Sequence, residues 1–107
     1  MPIYNKLVRD KIIDIIEKKG VSHNFRILDD LEYYRELKKK LYEEVNEFEQ
    51  TTNESDTLEE LADILELIHA VLKVHNMNFE SLEAVRMEKL EQRGGFDKRL
   101  FLIDVED

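Results

Sequence analysis

Carboxylates at helical spacing are the residues of this sequence that are best suited to chemistry. The stretches YEEVNEF and ELAD supply five of them: Glu43, Glu44, Glu47, Glu60 and Asp63. Residues three apart lie on the same side of a helix, so Glu44 pairs with Glu47 and Glu60 pairs with Asp63. If the two pairs face each other, they form a site with oxygen ligands only. Mg²⁺ and Mn²⁺ prefer such ligands.

Helical geometry places both acid pairs beside apolar side chains. On a helix that turns by about 100° per residue, Glu44 lies at the edge of an apolar stripe and Glu47 lies just outside it. Glu43 points further towards solvent. In the next helix, Glu60 lies inside the apolar arc and Asp63 borders it. The stripe beside Glu44 consists of one face of its helix: Tyr34, Leu37, Leu41, Val45 and Phe48.

Burying a carboxylate away from water costs free energy unless the group is paired, protonated or bound to a metal ion. Lys40 shares the flank of Glu44 and Glu47, but one cation neutralises only part of the charge. The residues alone leave two interpretations open. Either a small rotation of the helices leaves all four acids in solvent, or the acids converge on a divalent cation.

The composition predicts an all-α protein that forms a single domain over residues 1–107. The chain has 107 residues, of which 38% are charged and 42% are hydrophobic, and it contains only one Pro and three Gly. A net charge of −9 argues against general nucleic-acid binding. The absence of cysteine excludes disulfides and thiolate metal sites. No signal region or long apolar run occurs, so we expect no membrane span and a cytoplasmic protein.

The elements that must position the acids are predicted to be about four helices in a bundle. A possible short extended segment at 100–103 is predicted to pair with residues 25–28. The apolar arc of the third helix is too broad for one small subunit to cover, so we expect this helix to form a subunit interface. The predicted helices span residues 6–19, residues 29 or 30 to 50, residues 56–75 with Asp56 as the cap, and residues 78–93 with Asn78 as the cap.

Several motifs resemble one enzyme family. KLYEEVNE at 40–47 and ELAD at 60–63 resemble the KxxEExxE…ExxD signature of the all-α NTP pyrophosphohydrolases, which include MazG-like proteins, dimeric dUTPases and phosphoribosyl-ATP pyrophosphohydrolases. KLVRDKI at 6–12 and GGFDKR at 94–99 are similar to a small MazG-like subgroup called phosphoribosyl-ATP pyrophosphohydrolase-like. That subgroup often has Pro directly after KLVRDKI, where this chain has Ile13. The resemblance covers nearly the whole chain.

The resemblance implies a homodimer or homotetramer that hydrolyses a nucleoside triphosphate to a monophosphate and pyrophosphate, in nucleotide-pool house-cleaning. It implies Mg²⁺, with Mn²⁺ as a substitute, bound by Glu44, Glu47, Glu60 and Asp63. Glu43 or Glu44 then orients or deprotonates the attacking water. Basic side chains are expected to hold the phosphates. The expected set is Lys6, Arg9, Lys11, Lys40, Lys98 and Arg99.

Three alternatives are weighed against this function. The first is a different substrate, phosphoribosyl-ATP. The second is a ferritin-like di-metal bundle, for which Glu66 and His69 supply one Glu-x-x-His motif. The third is a protein without catalysis, which binds nucleotides or acts as a helical interaction module.

Overall fold

The computed structural model describes residues 2–107, and within that range it contains four helices and no strand. This arrangement confirms the predicted all-α class. No helix in the described range is both long enough and apolar enough to cross a membrane. The helices are α1 (Asp10–Lys18), α2 (Asp30–Glu49), α3 (Glu54–Val74) and α4 (Phe79–Arg93).

Capping side chains set the starts of α2 and α4 where the sequence predicts them. The side chain of Asp29 accepts a hydrogen bond from the backbone N–H of Glu32 at 2.8 Å. The side chain of Asn78 accepts one from the backbone N–H of Ser81, also at 2.8 Å. Each bond satisfies an N–H group that the first helical turn leaves without a partner.

The prediction that Asp56 caps α3 is wrong, because Asn53 holds that position. The side chain of Asn53 accepts a hydrogen bond from the backbone N–H of Asp56 at 2.9 Å and donates one to its carboxylate at 3.0 Å. Asn is as good a helix cap as Asp. The earlier of two suitable residues therefore starts the helix, and Asp56 lies in its first turn.

The predicted start of α1 at Lys6 is also wrong, since the helix begins at Asp10. Arg9 precedes it with an extended backbone, and Asn5 has a positive φ of 44° that no α-helix accommodates. Near the other end of the chain, residues 100–103 form no strand with residues 25–28 in the described structure. The predicted pairing is therefore not present within the single chain.

Within residues 2–107, α2 and α3 are the two helices that pack extensively against each other, and they form a helical hairpin. Leu37 of α2 and Leu72 of α3 are its buried apolar side chains. The Tyr34 hydroxyl lies 2.8 Å from Nε2 of His75 and joins the start of α2 to the end of α3. The hairpin is therefore antiparallel, and a loop of only a few residues connects its two helices.

Much apolar surface lies outside this hairpin. The chain exposes 10166 Å², whereas a compact monomer of this mass exposes about 6,300 Å². Its radius of gyration is 18.5 Å, against about 13 Å for a compact chain of this length. Val45 and Phe48, which were predicted to anchor the buried stripe, are 47% and 40% exposed. That prediction is wrong for the single chain, because α3 covers only part of α2.

We expect Asn53→Ala to lower the free energy of unfolding by about 1 kcal/mol, because the backbone N–H of Asp56 loses its side-chain acceptor. Thermal unfolding followed by circular dichroism at fixed protein concentration measures the change. Asn53→Ser, which keeps an acceptor oxygen, serves as the matched control and should recover most of the loss. Equal unfolding temperatures for the alanine variant and the wild type would contradict the assignment of the cap.

Candidate metal centre

Three carboxylates meet where α2 and α3 pack against each other. Glu44 and Glu47 come from α2 and Glu60 comes from α3, and one oxygen of each lies within 4.8 Å of the others. The short loop between the helices puts the end of α2 beside the start of α3. Three of the four acids that helical spacing predicts to converge are thereby brought to one place, and Asp63 lies outside this group.

Two carboxylate oxygens of this cluster are buried without a hydrogen-bond donor. Glu44 is the most deeply buried of the acids, with only 7% of its surface exposed. Its Oε2 atom and the Oε2 atom of Glu60 both lack a partner within the described residues. An ionised carboxylate in this position needs a proton or a cation. The donor set consists of oxygens only, which suits Mg²⁺ or Mn²⁺.

Burial also raises the pKa of the Glu44 carboxyl to about 7. After burial, the next cause is a hydrogen bond with Glu60, which the protonated Glu44 donates. The negative charges of Glu47, Asp63 and Glu60 raise this pKa further. Without a cation, the Glu44 carboxyl is therefore mainly protonated below a pH of about 7.

Lys40 supplies one positive charge at the inner edge of the cluster. Its Nζ atom lies 3.8 Å from Glu44 and 3.4 Å from Glu43. Glu43 keeps 41% of its side chain exposed and lies outside the three-carboxylate group, in line with its predicted outward position. Lys40 therefore faces two of the acids, and among the described residues Glu47 and Glu60 have no positive partner.

Asp63 is held by a side chain from the start of the chain. The Arg9 guanidinium donates a hydrogen bond to Oδ1 of Asp63 at 2.6 Å. Asp63 lies near enough to raise the pKa of Glu44, yet it is not part of the three-carboxylate group. The sequence predicts Arg9 as a phosphate-binding residue and gives no signal that it pairs with an acid 54 positions away.

The other predicted phosphate-binding residues have no ion pair with these acids within residues 2–107. Lys6 lies over the ring of Tyr4, with 5.4 Å between its Nζ atom and the ring centroid. Lys11 is an exposed residue of α1. Lys98 and Arg99 follow α4 in an exposed segment. Among the six predicted basic residues, Arg9 and Lys40 are thus the two that the structure brings to the acids.

A cleft of about 270 Å³ opens beside the cluster and gives solvent access to two of its carboxylates. Glu47 and Glu60 line this cleft, together with Asp56 and Glu59, Gln50 and Thr51. Four of these six lining residues are acids. A polyphosphate would be repelled from such a cleft unless a cation neutralised the acids first.

The ferritin-like interpretation finds no support at the Glu-x-x-His motif. The His69 ring stacks on Phe79 of α4, with 4.8 Å between the ring centroids. Glu66 is exposed on α3. Among the described residues, neither belongs to the group of carboxylates that can share a metal ion.

The chain matches no protein-family model, no curated protein and no solved structure. The site itself, together with the motifs that resemble the pyrophosphohydrolases, is therefore the basis on which a function can be proposed.

We expect the metal-free protein to lose stability as pH rises from about 4.5 to about 7. A group with a raised folded pKa stabilises fully below its unfolded pKa, and this contribution disappears through the folded pKa. The loss should be at most roughly 3 kcal/mol. Chemical denaturation with a chelator present, at fixed protein concentration, measures it between pH 4.5 and 8.

Glu44→Gln should remove most of this pH dependence, because the amide stays neutral at every pH in the window. Glu49→Gln, the same change at an exposed position of α2, is the matched control and should keep the wild-type slope. If the wild type and Glu44→Gln lose stability in parallel, the buried carboxyl is not the cause.

Proposed function

We propose that this protein is a Mg²⁺-dependent nucleoside triphosphate pyrophosphohydrolase, with Glu44, Glu47, Glu60 and Asp63 as the metal ligands. One observation supports the proposal most strongly. The buried Oε2 atoms of Glu44 and Glu60 have no hydrogen-bond donor among the described residues. A purely solubilising set of acids has no reason to bury such atoms, because each would be more stable in water.

The charge of the site argues for a substrate that arrives with its own metal ion or meets one there. A triphosphate carries about four negative charges, and the cleft beside the cluster is lined mainly by acids. A bound Mg²⁺ would polarise phosphoryl oxygens and lower the pKa of bound water. The carboxylates are thus useful for binding a nucleotide only in combination with a divalent cation.

The surrounding side chains have distinct roles in this proposal. Lys40 offsets part of the charge of Glu43 and Glu44 from one side, at 3.4 and 3.8 Å. Glu43, partly exposed and outside the cluster, is suited to orient or deprotonate the attacking water. The Oε2 atom of Glu44 is buried without a hydrogen-bond donor among the described residues, so we assign Glu44 to the metal ion. The basic residues of 6–11 and 98–99 would hold the leaving pyrophosphate.

We propose further that the active protein is a homodimer or homotetramer. The chain exposes roughly 3,900 Å² more surface than a compact monomer of its mass. Stable obligate interfaces bury about 2,000 Å² or more, so the excess is large enough for one. The large apolar residues still exposed on α3 and α4 are Leu58, Leu61, Leu65, Val74, Val85, Met87 and Leu90.

We expect incubation with Mg²⁺ and a panel of canonical and modified NTPs and dNTPs to yield monophosphate and pyrophosphate. Turnover of damaged or noncanonical NTPs would support house-cleaning, and turnover of phosphoribosyl-ATP alone would assign the alternative substrate. Separation of the products by ion-exchange chromatography identifies the cleaved bond. Absence of turnover across the panel would contradict the enzyme and favour a non-catalytic nucleotide-binding or interaction module.

Glu60→Gln should reduce kcat by at least about 100-fold, because it removes a metal ligand. It should leave the fold intact or stabilise it, since it relieves repulsion among buried acids. Glu66→Gln is the matched control on the exposed side of α3, and its activity should equal that of the wild type. Full activity of Glu60→Gln would contradict its role as a ligand, and loss in Glu66→Gln would revive the ferritin-like site.

We expect the purified protein to have the mass of a dimer or tetramer by analytical ultracentrifugation, whereas one chain has a mass of 12.8 kDa. Leu61→Asp, which places a charge on an exposed apolar position of α3, should dissociate it. Glu59→Asp, a conservative change on α3, is the control variant, and its mass should equal that of the wild type. A monomeric wild type at micromolar concentration would contradict the assembly.

A further inference from the structure

The segment 2–18 reaches the α2–α3 hairpin through a single ion pair. Within residues 2–107, the Arg9–Asp63 contact is the one side-chain hydrogen bond or ion pair that joins this segment to either helix of the hairpin. α1 does not pack extensively on another helix in the described structure. The attachment of the segment thus depends strongly on the acid that we assign as the fourth metal ligand.

We propose that Arg9 and the divalent cation compete for Asp63, so that Arg9 is a latch which binding of the cation releases. The inference rests on the proposed metal site and adds a regulatory role for the segment 2–18. In the absence of a cation, the Arg9 guanidinium holds Oδ1 of Asp63 at 2.6 Å. That oxygen is not available as an unshared ligand while Arg9 donates to it.

The Arg9–Asp63 ion pair is weak enough for a divalent cation to displace it. Arg9 and Asp63 have side chains that are 60% and 37% exposed, and exposed ion pairs contribute little to stability. A divalent cation offers twice the charge of the guanidinium and would also be bound by Glu44, Glu47 and Glu60, whose cluster lies near Asp63. The cation therefore displaces Arg9 at a small energetic cost, and a weak pair is sufficient to hold the segment until then.

Release gives Arg9 a second partner. Arg9 lies between Lys6 and Lys11, so the stretch 6–11 of the freed segment carries three positive charges and one negative charge, at Asp10. A planar guanidinium binds phosphate oxygens through paired hydrogen bonds. Binding of the cation thus exposes Asp63 to the metal ion and at the same time frees a phosphate-binding group next to it, which favours cation binding before nucleotide binding.

The test is a Mn²⁺ titration of the full chain without nucleotide, followed by isothermal titration calorimetry. Arg9→Gln should bind the ion about 2- to 5-fold more tightly than the wild type, the factor that corresponds to an exposed ion pair. Lys18→Gln removes the same charge at the far end of α1, where salt screens it from the site, and should match the wild type. Arg9→Lys keeps a cation and should lie between the two.

Hydrogen exchange of the α1 amides (Asp10–Lys18) gives a second readout, which does not depend on activity. Mn²⁺ should speed exchange in the wild type, whereas Arg9→Gln should exchange rapidly with or without the ion. Equal Mn²⁺ affinities of Arg9→Gln and Lys18→Gln, or slower exchange of α1 when the ion binds, would overturn the latch while leaving the metal site standing. Absence of saturable binding to the wild type would overturn the metal site, and the latch with it.

Discussion

The burial of the Glu44 carboxyl against Glu60 is the interaction on which the rest of this structure depends. It lies between the two helices that pack most closely, so the hairpin is joined at a place where negative charges repel each other. A proton, Lys40 or a metal ion can reduce that repulsion, and Arg9 reduces it at Asp63. The stability of the hairpin, the basis of cation binding and the position of the N-terminal segment are all consequences of how the charge is balanced.

Two needs are unmet within residues 2–107. The acid cluster carries more negative charge than Lys40 and Arg9 offset, and we propose that a divalent cation offsets the rest. The outer faces of the helices lack apolar cover, and we propose that another subunit supplies it. The segment that ends the chain shows the second need most clearly, because Phe96 and Phe101 are 97% and 90% exposed. Neither proposed partner meets the other need, so metal binding and assembly can be tested independently.

The sequence predicts most of the hairpin and the bounds of α4, but not the start of α1 or the contacts between distant segments. Glu44 and Glu60 are found because helical periodicity alone relates acids to apolar neighbours, and because a short loop forces adjacent helices together. Asn53 was missed as the cap because Asp56 offered the same chemistry three residues later. The pairing of Arg9 with Asp63 cannot be predicted from the sequence pattern, since local spacing carries no information about contacts between residues 54 positions apart. The exposure of Val45 follows from tertiary packing that the pattern of one helix does not specify.

The short connection between α2 and α3 has a consequence for folding kinetics. The acids Glu44, Glu47, Glu60 and Asp63 all lie in one hairpin. Closure of a short loop therefore brings the two helices that carry them together. Hairpins of this kind form early, because local contacts require little loss of chain entropy. The repulsion is therefore present from the first stages of folding, before α4 has any place to dock. Neutralisation of these acids then bears on how fast the chain folds as well as on how stable it becomes.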